Sequence, residues 1–184
     1  NVKFGGAYCG MSDALGGASH HATEDIAIMR ALPNMKVIVP ADAAATRWAT
    51  KYAAETYGPM YLRLSRDVYP DLYAEDQKFE LGKGATLRDG TDVTIIAVGM
   101  NVQMALAAAD KLAAEGVSAR VIDMHTIKPL DTELVLKAAK ETGAIVTTEE
   151  ANVLGGLGAA VAEYLGENYP VPVVRHGVND EFGR

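Results

Sequence analysis

Two adjacent imidazoles, His20 and His21, lie in the run Gly16-Gly17-Ala18-Ser19-His20-His21-Ala22-Thr23-Glu24-Asp25, directly ahead of an amphipathic segment. Glycines lack a Cβ, so the backbone can turn sharply there and a ligand can come close. An imidazole carried on such a loop can donate, accept or relay a proton near neutral pH. Glu24 and Asp25 suit the first turn of the helix that follows, where carboxylates face the positive end of the macrodipole. The competing reading is a surface His-His pair on an ordinary loop. Other reactive residue types are sparse. Cys9, the single cysteine, is a nucleophile by type but has no supporting context, and it is read as structural along with His125 and His176.

The elements that must position these residues alternate between strand and helix. A strand over 2–4 leads into a loop over 5–19, and a helix is predicted from about 23 to 32, stopped by Pro33. The β-branched run 36–39 reads as a buried strand, Asp42 as the N-cap of a helix running to about 56, and 60–64 as another strand. Residues 66–83 are rich in Asp, Tyr and Pro without sustained period, and read as an exposed connection. Alternation then resumes with strands at 93–98, 119–124, 144–148 and 171–174. The intervening helices cover about 102–115, closed by Gly116, then a stretch capped by Asp131 or Thr132 and ending before Gly143, then 157–165. Strands joined by helical crossovers imply mainly parallel sheets covered by helices. The fold class is therefore α/β, in two units: 1–75 and 85–184, joined by 76–84.

The string GGASHHATEDIAIMRALPNMKVIVPAD resembles the transketolase family, with its Gly-(Pro/Ala)-(Thr/Ser)-His loop, Leu-Pro-Asn-Met turn and Pro-Ala-Asp. The likeness continues through YLRLSR at 61–66, then IDMHTIKPLD, EEANVLGGLGAAVAEYL and GVNDEFG, in the family's order over nearly the whole chain. The resemblance implies a thiamine-diphosphate-enzyme fold, with the back half of the pyrimidine-binding domain followed by a C-terminal domain. It further implies transfer of a two-carbon ketol unit between sugar phosphates, with thiamine diphosphate and magnesium as cofactors.

Residue by residue, His20 matches the histidine that faces the reacting end of the donor sugar and assists proton transfer. Arg66 matches the family's phosphate-binding arginine at a strand end; a salt bridge to an acid of the connection is the alternative. Arg63, on the opposite face, is expected to pair with an acid. His21 stands where the family more often has Gln. The His-His pair is similar to the deoxyxylulose-phosphate synthases, and His21 is otherwise packing at the helix start. Two positions depart from the family pattern. Gly16 replaces an aspartate that reads a sugar hydroxyl, and Tyr8 replaces a histidine near the acceptor phosphate, so substrate selection is expected to differ. The alternative is a loop shifted by one residue, with Asp13 supplying the carboxylate.

The metal-holding Gly-Asp-Gly…Asn pattern does not occur, since Asp89-Gly90 lacks a preceding Gly. No acid matches the glutamate that contacts the cofactor's aminopyrimidine, and Glu24 is structural in this alignment. Gly155-Gly156-Leu157-Gly158 lacks the Lys-Ser/Thr of a nucleotide loop and reads as a tight helix start. No residue of this chain is therefore assigned to cofactor or metal. The expected partner is a diphosphate-binding domain or subunit of transketolase, in a homodimer or heterotetramer. A non-catalytic assembly subunit, a deoxyxylulose-phosphate synthase-like enzyme and, less closely, a pyruvate-dehydrogenase-type beta subunit are the alternatives.

Composition narrows the remaining classes. The 184 residues are 49% hydrophobic and 22% charged, as in a packed globular protein. A net charge of −7 with scattered Lys and Arg offers no basic face for nucleic acid. No apolar run reaches the roughly 20 residues of a membrane span. One cysteine suits a reducing cytoplasm. A start in mid-strand at Asn1 and a stop inside a motif at Arg184 lead us to expect a piece of a longer polypeptide.

Overall fold

Residues 1–12 and 15–183 are described by a computed structural model. Strands β1 (Lys3–Gly6), β2 (Lys36–Ile38) and β3 (Met60–Arg63) form a parallel sheet in the order β1-β3-β2. Helices α1 (Asp25–Ala31) and α2 (Ala43–Glu55) form the crossovers. Asp42 caps α2 as expected, its Oδ1 accepting from the Ala45 N–H at 2.8 Å.

The second sheet has β5 (Val93–Ala97), β6 (Ala119–Asp123), β8 (Ile145–Asn152) and β9 (Val173–Val178) in parallel. Helices α3 (Asn101–Ala114), α4 (Thr132–Thr142) and α5 (Leu157–Asn168) connect these strands. Every residue of β3 and of β6 is buried, as parallel strands covered on both faces require. Asp131 caps α4, and Gly143 ends it at a left-handed φ of 70° that a Cβ would disfavour. None of the described helices is long and apolar enough to cross a membrane.

Two short strands escaped the sequence reading. β4 (Ala85–Arg88) pairs antiparallel with β6 at one edge of the second sheet. β7 (Thr126–Lys128) leaves the second sheet altogether and pairs antiparallel with β2 in the first. One hydrophobic cluster accordingly runs from Cys9, Ile26, Val37 and Tyr61 across to Ile96, Ile122, Leu157 and Val161. The two sheets share a core.

The stretch 66–83 has neither helix nor strand, in line with the sequence, but it is not a free connection. Asp42 Oδ2 accepts the N–H groups of Leu72 and Tyr73 at 3.0 and 2.9 Å. The Tyr73 hydroxyl donates to Asp123 Oδ2 at 2.8 Å. Phe79 packs against Trp48, Tyr73 and His125. A polar, Pro-containing composition reports the missing period but not these anchors.

Candidate active site

The loops that follow β1, β2 and β3 gather at the carboxyl ends of three parallel strands, where α/β sheets open their ligand crevices. Backbone pairing brings two of them side by side. Leu64 N–H donates to the Gly6 carbonyl at 2.7 Å, and Cys9 N–H donates to the Leu64 carbonyl at 3.1 Å. Tyr8 and Arg66 therefore meet, the guanidinium carbon lying 5.5 Å from the tyrosine ring centroid, within cation–π range. Tyr8 is exposed and has a φ of 60°, unusual for a non-glycine residue. Ser12 and Ser65 share a 3.0 Å hydroxyl hydrogen bond, and the Tyr69 hydroxyl adds to Ser65. Ser65 and Asp67, flanking Arg66, line a cavity of about 440 Å³ with Pro40, Asp42, Arg47 and Tyr69.

His20 closes a single 3-10 turn, Ala18–His20, on the loop after β1. Its ring is exposed, with Nδ1 3.0 Å from Ser19 Oγ. Of the two glycines singled out in the sequence, Gly17 takes the left-handed turn, at φ 67°. His21 is half-buried with its imidazole filling the space beside Gly183. The Asp13 alternative falls outside the described residues. Glu24 turns its carboxylate to the Thr23 N–H at 2.9 Å.

A buried polar layer lies beneath the loop. Asp25 accepts from the Tyr61 hydroxyl at 2.6 Å and from Arg63 Nε at 2.8 Å. The expected acid partner of Arg63 is thus Asp25, which sits in the first helical turn but faces inward. Arg63 also donates to the carbonyls of Ala22 and Glu150, at 3.1 and 2.8 Å. Cys9 Sγ is 3.1 Å from the Tyr61 hydroxyl. Burial pushes both the thiol and the phenol above their ordinary ranges, and Asp25 accepting from Tyr61 raises the phenol further. A thiol held protonated is a poor nucleophile.

In the second sheet, Glu149 accepts the N–H groups of Leu157 and Gly158 at 2.7 and 2.8 Å, satisfying donors at the start of α5. A Cβ on Gly156 would collide with that carboxylate, which explains the glycine in this tight helix start. His125 is packed edge-on against Trp48 and Phe79, and burial lowers its pKa. His176 Nδ1 lies 3.1 Å from Thr148 Oγ1.

Sequence reasoning missed Glu150. Its Oε1 accepts the Met11 N–H at 2.6 Å, so strand β8 reaches into the loop after β1. The available signal was a pair of acids, Glu149-Glu150, at the end of an apolar strand, where two charges need partners.

The arrangement defines an α/β protein that gathers serine and tyrosine hydroxyls and an arginine at the carboxyl ends of its parallel strands. The sequence matches the pyrimidine-binding domain of transketolase over residues 1–71 and the transketolase C-terminal domain over residues 82–184. The chain belongs to the transketolase family. It is 48% identical to the 6-deoxy-6-sulfo-D-fructose transketolase subunit SqwH of Clostridium sp., over 100% of this chain and 57% of that protein. It is 47% identical to a subunit of the apulose-4-phosphate transketolase of Phocaeicola vulgatus, over 98% of this chain and 58% of that protein. The solved structure of a split-gene transketolase, described as an inactive beta4 tetramer, superposes with a TM-score of 0.91 at 54% identity, covering 98% of this chain and 58% of that one. The chain thus spans under two-thirds of the length of these relatives.

The family implies dependence on thiamine diphosphate. Among the described residues no three His, Cys, Asp or Glu side chains are grouped to hold a metal ion. The sequence carries no Gly-Asp-Gly, the pattern that in the family holds the metal and diphosphate end of that cofactor.

Proposed function

We propose that this chain is the substrate-facing part of a thiamine-diphosphate-dependent transketolase, moving a two-carbon ketol unit between sugar phosphates. A second part, in the manner of the relatives named as subunits, holds the diphosphate and magnesium, and the assembly is oligomeric and cytoplasmic. The supporting observation is the Tyr8–Arg66 pair at the ends of parallel strands, in a chain whose two halves both match transketolase domains. Arg66 carries a planar fork suited to a phosphate or sulfonate, and the Tyr8 ring lies within cation–π range of it. His20, on the same loop as Tyr8, handles a substrate proton or hydroxyl. Tyr8, where the family carries a histidine, narrows the choice of acceptor. The His20–His21 pair favours a second reading, a deoxyxylulose-phosphate synthase-like enzyme condensing pyruvate with an aldose phosphate.

The deciding experiment assays the full-length chain, its partner subunit, thiamine diphosphate and magnesium against ketose phosphates and aldehyde acceptors. Ketol transfer that needs both chains is the expected result. With pyruvate included as a donor, product formed from pyruvate and an aldose phosphate with release of carbon dioxide would move the assignment to the synthase, and no product from any donor would leave an assembly role.

A further inference from the structure

We propose that Glu150, on strand β8 of the C-terminal half, is a positioning residue that clamps the loop carrying Tyr8 and His20. Its carboxylate accepts the Met11 N–H at 2.6 Å. Charge-assisted hydrogen bonds of this kind are about twice as strong as neutral ones. Gly10 lies directly against the carboxyl group. A Cβ there would come within 2.3 Å of Glu150 Cδ, and the φ of 80° excludes most side chains in any case.

The same strand segment holds the far end of the loop. Arg63 donates at once to the Glu150 carbonyl and to the Ala22 carbonyl, and Asn152 N–H donates to the Thr23 carbonyl at 2.8 Å. Between the two ends, Gly10 N–H donates to the Ala22 carbonyl at 2.8 Å, closing the base of the loop. Tyr8 leads into this base and His20 projects from the loop it closes. A strand of the C-terminal half, with no residue in the crevice itself, thereby sets where the imidazole stands. Arg66 belongs to the segment after β3 and meets the clamped loop at Tyr8. Glu150 is half-buried, so its carboxylate is shielded enough for this bond to matter.

The consequence for turnover rests on His20 serving ketol transfer as proposed above; the consequence for loop geometry does not. The full-length chain, assembled with its partner, is compared with its Glu150→Gln and Glu150→Ala variants. Amide hydrogen exchange over 10–12 and 15–23 should accelerate by about tenfold or more in the alanine variant, while α3 and α4 stay unchanged. The value of kcat should fall about 100-fold in the alanine variant, the scale of a catalytic group displaced by about 1 Å. Glu150→Gln, which keeps one acceptor oxygen, should recover part of both effects. In a His20→Ala background the Glu150 change should cost roughly twofold at most. Unchanged exchange overturns the clamp. Faster exchange with normal turnover, or the full Glu150 cost retained in the His20→Ala background, overturns the positioning role. If the unaltered assembly transfers no ketol unit, it is the functional reading that fails, and the exchange measurement still decides the clamp.

Discussion

Replacing Asp123 by Asn should make the protein's stability less dependent on pH, and more favourable above neutrality. Asp123 ends β6 with no exposed surface. Oδ2 accepts the Tyr73 hydroxyl at 2.8 Å, while buried Oδ1 has no hydrogen-bond partner. Burial pushes its pKa from an ordinary 3.8 up to about 7, against the Tyr73 hydrogen bond and with a further push from the Asp42 carboxylate. The folded protein thus binds a proton over a range in which the unfolded chain has released it. The sign follows from that difference. The contribution of this group to stability is complete below pH 3.8 and is lost as pH rises through about 7. The slope is about 1.4 kcal/mol per pH unit, so the total is on the order of 4 kcal/mol as a ceiling. Asn reproduces the protonated shape, with its carbonyl oxygen facing Tyr73 and its NH₂ in the place of Oδ1, and it does not titrate. Urea unfolding midpoints at pH 4.5 to 8, for both proteins in the same assembly state, measure the effect; other titrating groups cancel in the comparison. The two should lie within about 1 kcal/mol at pH ~4.5, diverge from there to about pH 7 and level off beyond it, with the variant the more stable. Parallel curves, or a gap that widens toward acid, would refute the reasoning.

In the assembled enzyme, His20→Ala should lower kcat by roughly 100- to 10,000-fold with little change in melting temperature, because the ring is exposed on a loop. Steady-state turnover alongside a thermal melt checks both halves. Arg66→Lys should raise KM for phosphorylated acceptors by roughly ten- to hundred-fold and leave glycolaldehyde nearly unaffected, since an ammonium cannot reproduce a bidentate fork. Equal losses for both acceptors would assign Arg66 to bracing the loop after β3.

Much of the scaffold was legible in the residue order because the forces that set it act over a few positions. Asp42 and Asp131 start helices by accepting an N–H three residues on, and Gly143 ends one by adopting a conformation that other residues resist. The apolar β-branched runs became the central parallel strands, and Pro33 lies just beyond the end of α1. The collinear motifs placed the chain in its family and put His20 and Arg66 on loops at strand ends.

What the residue order does not carry is partnership across distance. Thr126-Ile127-Lys128 is too short to show any period, and only packing of one sheet on the other turns it into an edge strand of the first. The residues 66–83 look unconstrained until Asp42, Asp123 and Phe79 are seen to pin them. Tyr8 meets Arg66 only because β1 lies parallel beside β3, and Glu150 reaches Met11 only because β8 passes under the loop. Local chemistry therefore determined the elements and the residue types of the site. The tertiary structure decided which of those residues face one another, because buried charges and orphaned backbone donors find partners only when distant segments pack together.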